Sequence, residues 1–517
     1  MTSVRKVCNF PGIVLAIIAL LSMERAGAAR YAGIQFNQTV MDTVAIQMDG
    51  IAAPASKDGT LIETVMATVR QRIGARQLTP GAKLPSVRAF AKTMQVSTST
   101  VVEAYERLAA EGVIRSRPGS GFYVCGPLAP LSLAEVGPRL DREIDPLWIS
   151  RQSLEAGEGV LKPGCGWLPA DWMPQQALRR ALRGLAHARD ATLADYGTPL
   201  GLAPLRQQLA RRMGEHGIEA SPNQIMLTES GTQAIDLLCR LLIEPGDTVL
   251  VDDPCYFNFH ALLRAHRASI VSVPYTPTGP DLDLFAQALA EHRPRLYITN
   301  SALHNPTGAT LSPVTAHRLL KLADQFEVTI VEDDIFADFE PEPAPRLAAF
   351  DGLSRVVHIG SFSKTLSASV RCGFIAAPRD WVERLTDLKI STTFGGGHLS
   401  AELVLSLLKD GSYRKHVETL RQRLSASMVD TSKRLEPLGI RPWIEPRAGM
   451  FLWCSLPDGL DAADVARRAL AEGVVLAPGN AFSLSRTANG FLRFNVAQSQ
   501  DPRVFEVLAM AMRRDGR

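Results

Sequence analysis

Cysteine is scarce in the 517-residue chain, and its placement excludes two familiar uses. The seven cysteines (Cys8, Cys125, Cys165, Cys239, Cys255, Cys372 and Cys454) are scattered, odd in number and never spaced Cys-x-x-Cys. Neither a disulfide framework nor a zinc site is expected, and a reducing compartment suits them. Charge of one sign is lacking too: the formal net charge is +3, with 21% charged and 46% hydrophobic residues. That balance excludes a disordered chain and one that is basic throughout. No internal repeat, low-complexity tract or long apolar run is present, which excludes a collagen, a coiled coil and a polytopic membrane protein. At roughly 100–200 residues per domain, the length allows about three to four domains, or one large enzyme body with an appendage.

The first fifty residues pose a separate question. Arg5 and Lys6, the apolar stretch Ile13–Leu21 and Ala26-Gly27-Ala28-Ala29 together imitate the three regions of a secretory signal. The stretch is too short for a membrane-spanning helix, which needs about 20 apolar residues. Everything after residue 60 reads as cytoplasmic, so the expectation is an over-extended start, with synthesis beginning at Met41 or Met48. Residues 1–59 are then an N-terminal extension outside the domains. A membrane-tethered or exported protein is the weaker alternative and rests on Ile13–Leu21 alone.

The small net charge hides an asymmetry. Between Thr60 and Val124 nine basic residues face four acidic ones, an excess of five that leaves the rest of the chain at −2. A basic module on a nearly neutral body has the charge layout of a nucleic-acid-binding head. In that module Leu61, Val65, Val69 and Ile73 keep a helical rhythm. Pro80-Gly81 breaks it, and Pro85-Ser86 restarts it with Val87, Phe90, Ala91 and Met94 on one face. Ser97 can cap a third helix with Val101, Ala104, Tyr105 and Leu108 inside and Gly112 as its stop. Two short helices about a tight turn make a helix-turn-helix. The period then changes: Val113-Ile114-Arg115, a turn at Arg117-Pro118-Gly119-Ser120-Gly121, and Phe122-Tyr123-Val124 read as a hairpin, hence a wing. Thr98, Ser99 and Thr100 leave room for close approach to base edges and phosphates, while Arg88, Arg115 and Arg117 supply charge beside Gly119 and Ser120. The alternative for such a head is an oligomerisation or packing module.

Leu84-Pro85-Ser86-Val87-Arg88, the Ser97-x-x-Thr100-Val101 helix and the Gly119-Ser120-Gly121-Phe122 wing resemble the winged helix of GntR-type bacterial regulators. The head is accordingly expected over 60–126. From there to residue 163, prolines, glycines and charges without periodicity read as a linker.

Beyond it, the apolar runs Thr248–Val251, Leu296–Thr299, Val328–Val331 and Val356–Ile359 alternate with helical segments such as Pro313–Phe326. An α/β body with a mainly parallel sheet follows, and in such sheets chemistry gathers at the carboxyl ends of strands. Lys364, in Ser361-Phe362-Ser363-Lys364, follows one strand directly, where a semi-buried amine is tuned for Schiff-base formation. Asp333, in Glu332-Asp333-Asp334, ends another and could pair with a protonated pyridine nitrogen. Asn305-Pro306-Thr307-Gly308 offers an amide on a fixed turn. Ser230-Gly231-Thr232-Gln233 opens a helix, a placement that suits a phosphate dianion, and Arg371 can add a bidentate grip. Each signal has an ordinary structural alternative: a solvated lysine, an acidic turn, a common Asn-Pro turn.

Order and spacing together resemble the fold-type-I, aspartate-aminotransferase-like class of pyridoxal 5'-phosphate enzymes from about Gly164 to the C-terminus. The resemblance implies that Tyr256 stacks on the cofactor and that Tyr196, in Tyr-x-x-x-x-Gly-x-x-x-Leu-Arg, reaches the phosphate across a dimer interface. It implies that Arg493, in Phe491-Leu492-Arg493-Phe494-Asn495, holds a substrate or effector carboxylate; the alternative is a surface strand arginine. One position departs: the class usually carries Asp-x-x-Tyr where this chain has Asp333-Asp334-Ile335-Phe336. Either Phe336 removes a donor to the cofactor's phenolic oxygen, or the alignment is off by a residue.

Winged helix, linker and aminotransferase-like body in this order resemble the MocR-type, also GabR-type, regulators. The resemblance implies a cytoplasmic, head-to-tail homodimer that binds duplex operator DNA. Its body would bind pyridoxal phosphate and respond to that cofactor or to an amino compound. The rival is a working aminotransferase with an appended head.

Overall fold

The computed structural model describes residues 60–74, 77–117, 119–125 and 146–513. Residues 1–59, with Ile13–Leu21, Met41 and Met48, lie outside the described residues, as do residues 127–145 of the expected linker. The chain divides into two compact units, 1–141 and 142–517.

In the first unit three helices, α1 (Leu61–Gly74), α2 (Val87–Met94) and α3 (Thr98–Ala110), precede strands β1 (Ile114–Arg117) and β2 (Gly121–Val124). The helix starts are set by side chains: Ser86 Oγ accepts from the Ala89 N–H at 3.2 Å, and Ser97 Oγ from the Thr100 N–H at 3.1 Å. Past α3, Gly112 takes the left-handed φ of 72° at which glycine is at no disadvantage. Val65, Met66 and Val69 of α1 meet Phe90, Val101, Ala104, Tyr105 and Leu108 in one core. Leu61, expected on the same stripe, begins the helix and is 62% exposed. The Tyr105 hydroxyl donates to the Pro85 carbonyl at 3.1 Å, tying α3 to the turn before α2. The hairpin is antiparallel, pairing Ile114 with Val124 and Arg117 with Gly121. Ile114 and Val124 are buried, whereas Arg115 and Arg117 are exposed.

The second unit is built on an eight-stranded sheet. Its strands are β3 (Ile225–Thr228), β4 (Thr248–Asp253), β5 (Ser269–Thr276), β6 (Gly279–Pro280), β7 (Leu296–Thr299), β8 (Thr329–Asp333), β9 (Val356–Ser361) and β10 (Gly373–Ala376). They lie in the order β3-β10-β9-β8-β7-β4-β5-β6. Pairs among β9, β8, β7, β4 and β5 are parallel; β10 runs antiparallel to β3 and β9, and β6 to β5. Alternate residues of the same strands enter different cores: Leu250, Tyr297, Ile330 and Val356 one, and Val249, Val251, Ile298, Val331 and Val357 the other. A sheet covered on both faces explains why these runs read as continuously apolar.

A second sheet of β11 (Arg441–Pro442), β12 (Phe451–Ser455), β13 (Ala477–Pro478) and β14 (Phe491–Asn495) is antiparallel, in the order β11-β12-β14-β13. Within the stretch expected as linker, Pro146–Glu155 is helical, and Trp148 and Ile149 are buried in the core of this second sheet. No helix of the described residues is long and apolar enough to cross a membrane.

Candidate functional site

Parallel strands bring distant residues together at one edge. Register places Asp333 beside Ile359, Glu332 beside Thr299 and Val251 beside Ile298. The segments leaving β4, β7, β8 and β9 therefore carry Tyr256, Asn305, Asp333 and Lys364 to the same end of the sheet. Gly373 of β10 pairs with both Thr228 and Ser361. A Cβ on Gly373 would come within 2.9 Å of the Ser230 backbone. The helix opening at Gly231, the Ser361–Ser363 turn and Arg371 thus converge across three strands. Gly231 lies beside Ile335, two residues past Asp333, with 3.3 Å between an added Cβ and Ile335 Cγ2.

The electrostatics of this edge are those of charges taken out of water. Lys364 Nζ donates to the Gly166 carbonyl at 2.6 Å. Burial, reinforced by the Arg493 guanidinium, lowers its pKa from 10.5 to about 8. Burial raises the Asp333 carboxyl from 3.8 to about 7, against the Ile335 N–H, which donates to Oδ1 at 3.3 Å. Arg493 is 1% exposed. Nη1 donates to Asn305 Oδ1 and Nη2 to the Gly164 carbonyl, both at 2.8 Å. Its guanidinium carbon lies 4.0 Å from the centre of the Phe451 ring and 4.9 Å from that of Phe482. Nε has no partner, and among the described residues no carboxylate pairs with this cation. Burial lowers its pKa to about 10. It is not the surface strand arginine of the alternative reading.

At the helix opening, Ser230 Oγ accepts from the Gln233 N–H at 3.1 Å, and Gln233 Oε1 from the Glu229 N–H at 2.7 Å. Gln233 is occupied in closing the turn, which leaves the Gly231 and Thr232 N–H groups without intrahelical acceptors. Ser361 and Ser363 hydroxyls are 2.9 Å apart. Arg371 is exposed, with a left-handed φ of 49°. It lines a cavity of about 490 Å3 with Arg206, Thr228, Lys389 and His398.

Two further sequence-derived positions stand outside this cluster of charges. Tyr196 is not gathered with Lys364: it is 80% exposed, its ring 5.1 Å from that of Phe394, itself 63% exposed. Phe336 is 4% exposed and packs edge-on to Phe451 at 5.6 Å and beside Phe339 at 6.2 Å, so its place is filled by an apolar ring without a hydroxyl.

Sequence reasoning missed the Gly164 and Gly166 carbonyls that receive Arg493 and Lys364, and Asn300, whose Nδ2 donates to the Asp333 carbonyl at 2.8 Å. Backbone acceptors leave no side-chain signature; the Gly-Cys-Gly string after Pro163 was the available signal.

In the head, Arg88, Thr98, Ser99, Arg115, Arg117, Gly119 and Ser120 are exposed, and Thr100 is half-buried at the first turn of α3. Arg70 and Arg107 pair with Glu111 and Glu103. Arg88, Arg115 and Arg117 have no ion pair among the described residues. Arg117 lies 4.5 Å from the centre of the Tyr123 ring, whose hydroxyl is 2.6 Å from Ser120 Oγ.

Comparison with known proteins agrees with both units. Residues 168–509 match the family described as aminotransferase class I and II, and residues 61–124 match the bacterial regulatory proteins of the gntR family. The chain is 30% identical over 443 residues to the uncharacterized HTH-type transcriptional regulator YdcR of Escherichia coli, covering 83% of this chain and 93% of that protein. It is 28% identical over 385 residues to the HTH-type transcriptional regulator NorG of Staphylococcus aureus, covering 72% and 86%. Among solved structures, the α-aminoadipate aminotransferase LysN of Thermus thermophilus, complexed with N-(5'-phosphopyridoxyl)-L-leucine, superposes with a TM-score of 0.64 at 27% identity. The match covers 70% of this chain and 94% of that one. With a gntR-family head on an aminotransferase class I and II body, the chain belongs to the helix-turn-helix regulators of the MocR type.

Proposed function

We propose that the protein is a DNA-binding transcriptional regulator whose body holds pyridoxal phosphate and responds to a carboxylate-bearing amine. One observation carries the reading of the body. Arg493, a buried guanidinium without a carboxylate partner among the described residues, and Lys364, a half-buried amine, are held by carbonyls two residues apart, Gly164 and Gly166. A buried cation held only by neutral groups has its strongest partner still to come.

The residues present fit the cofactor. Arg493 Nε and Asn300 Oδ1 are buried without partners, and the Asp333 carboxyl is buried and desolvated. Pyridoxal phosphate, when bound, supplies an electrophilic carbonyl carbon conjugated to an electron-withdrawing ring. Lys364 would anchor it, and Asp333 would hold a proton at the ring nitrogen. Tyr256 would flank the ring. Asn305 Nδ2, free of the Arg493 bond made by Oδ1, would face the phenolic oxygen. The Gly231 and Thr232 N–H groups, the Ser361 and Ser363 hydroxyls and Arg371 would hold the phosphate, with Gln233 keeping the turn. Arg493 would bind the carboxylate of the incoming amine. The phosphopyridoxyl-leucine bound to LysN supports this ligand class.

In the head, Arg88 and the first turn of α3 (Thr98, Ser99, Thr100) would meet the major groove of an operator duplex. Arg115, Arg117, Gly119 and Ser120 would lie beside it. The division we propose is head 60–126, joining segment 127–163 and body 164–517, in a cytoplasmic homodimer paired head to tail. The exposed Tyr196 suits contact with a second copy, and the six free cysteines among the described residues suit a reducing compartment.

A working aminotransferase remains the second reading, favoured by the set of Lys364, Asp333 and Arg493; Phe336, apolar and enclosed, weighs against it. A visible spectrum combined with footprinting on the protein's own upstream region tests the proposal. A cofactor band that shifts with amino compounds, together with a footprint that follows it, is expected. A colourless protein, or a footprint indifferent to cofactor and amine, would overturn it.

A further inference from the structure

The segment 163–167 forms a strap with its carbonyls divided between two neighbours. Those of Pro163, Cys165 and Trp167 are all received by one residue, Asn495: its N–H donates to Pro163 at 2.7 Å, and Nδ2 to Cys165 at 3.1 Å and Trp167 at 2.8 Å. The intervening carbonyls of Gly164 and Gly166 receive Arg493 and Lys364. Asn495 and Arg493 are two residues apart in β14, so both stand on the same face of that strand.

Nothing in the strap is loosely set. Asn495 is fully buried, and its Oδ1 accepts the Ala497 N–H at 3.2 Å, which fixes which end of the amide faces the strap. Gln498 Nε2 adds a second donor to Trp167 at 3.2 Å. At the other end the Gly164 N–H donates to Val475 at 2.9 Å, and a Cβ there would strike the Leu476 carbonyl carbon at 2.4 Å. A Cβ on Gly166 would lie 3.7 Å from Lys364 Nζ and 4.0 Å from Arg493 Nη2, so the strap borders both cations.

We infer that Asn495 is a positioning residue: by holding the alternate carbonyls of the strap, it fixes the two carbonyls that orient Lys364 and Arg493 toward one carboxylate-bearing amine. Remove its amide and the Cys165 carbonyl loses its donor while the Trp167 carbonyl keeps only Gln498 and the Cys165 thiol, so the strap shifts and Arg493 loses its set direction. The phosphate-holding residues proposed above lie on the helix after β3, at the end of β9 and in the segment between β9 and β10, none of which Asn495 bonds. Its removal therefore separates carboxylate binding from phosphate binding. This inference rests on the proposed ligand class.

The test uses the full chain and propionate, an amine-free carboxylate. Its affinity is measured by the visible band of the cofactor-loaded protein and by calorimetry on the cofactor-free protein. Pyridoxal phosphate affinity is measured alongside. Asn495→Ala is expected to weaken propionate about tenfold or more while changing cofactor affinity less than about twofold, the tenfold loss being one buried hydrogen bond's worth of orientation. Leu508→Ala, which hollows the same core without touching the strap, is expected to lower thermal stability and leave both affinities alone. If Asn495→Ala does not fold, Gln498→Ala removes one strap bond and is expected to weaken propionate in the same selective way. Equal loss of both affinities, no loss of either, or no propionate binding by the unaltered protein overturns the inference. Propionate binding by a chain that takes up no cofactor would instead overturn the cofactor reading and leave the strap standing.

Discussion

The head and the body use their cations in opposite ways. In the head, Arg88, Arg115 and Arg117 are exposed and have no carboxylate partner among the described residues. In the body, Lys389 and Arg493 are buried and Lys364 is half-buried, and all three are held by neutral oxygens: Lys389 Nζ, for instance, donates to the carbonyls of Pro199 at 2.7 Å and Leu227 at 2.8 Å. The attraction of an exposed arginine for phosphate falls as salt screens it. A buried amine or guanidinium pays for desolvation, so its protonation becomes responsive, and each neighbouring charge alters it. One region suits a polyanion approached through solvent; the other suits a single small anion enclosed among fixed dipoles.

The sharpest way to break that contrast is at Lys364. Lys364→Ala is expected to abolish borohydride-reducible attachment of pyridoxal phosphate, measured by mass spectrometry of the intact chain. An adduct at full yield in that variant would place the anchor elsewhere.

Arg493→Leu should come next in size. Without the guanidinium, carboxylate-bearing ligands are expected to lose about a hundredfold in affinity, the scale of an unmatched charge-assisted pair. Its cation also depresses the Lys364 pKa, so the midpoint for Lys364 should rise above about 8. The sign follows from removal of a like charge: the ammonium becomes easier to keep. Competitive acetylation of Lys364 in the cofactor-free protein, where the amine is not engaged, reads this across the pH range. In the unaltered protein that reactivity should climb through pH 8 and level off well before the ordinary lysine range.

The head is sharpened by Arg88→Ala with Arg115→Ala. Operator affinity should fall roughly tenfold or more at about 0.15 M salt. The slope of log affinity against log salt should flatten by about 2, one for each phosphate that the double variant leaves unneutralised. The visible spectrum should not move. Unchanged binding would return the head to the packing-module reading.

The smallest effect is expected from Phe336→Tyr. The site is closed and apolar, packed by Phe339 and Phe451. A hydroxyl there gains a partner only if the position borders the cofactor's phenolic oxygen. The pH titration of the visible band should then shift by a fraction of a unit. An unmoved titration with lowered stability would place Phe336 purely in the core.

The same contrast governs how much could be read from the sequence. Head elements were legible because local chemistry sets them: Ser86 and Ser97 cap helices, and Gly112 stops one. In the body, strand-end residues such as Asp333 and Lys364 were legible because apolar runs end beside them. The strap was not, since carbonyls at Gly164 and Gly166 act through backbone atoms common to every residue, and Asn495 reads as one more strand residue. Tyr196 was expected to act across an interface between two copies, and its ring is exposed in the single chain.

Ligands of the body are expected to act on the head through its affinity for DNA. Binding of the full chain to its own upstream duplex should be titrated at fixed salt with and without pyridoxal phosphate, then with added amino acids, beside Lys364→Ala. The unaltered protein is expected to change affinity with cofactor and again with amine, while Lys364→Ala responds to neither. Affinity indifferent to both ligands, with multiple turnovers near the roughly 10 s⁻¹ of a median enzyme on a keto-acid acceptor, would contradict regulation and favour a working aminotransferase.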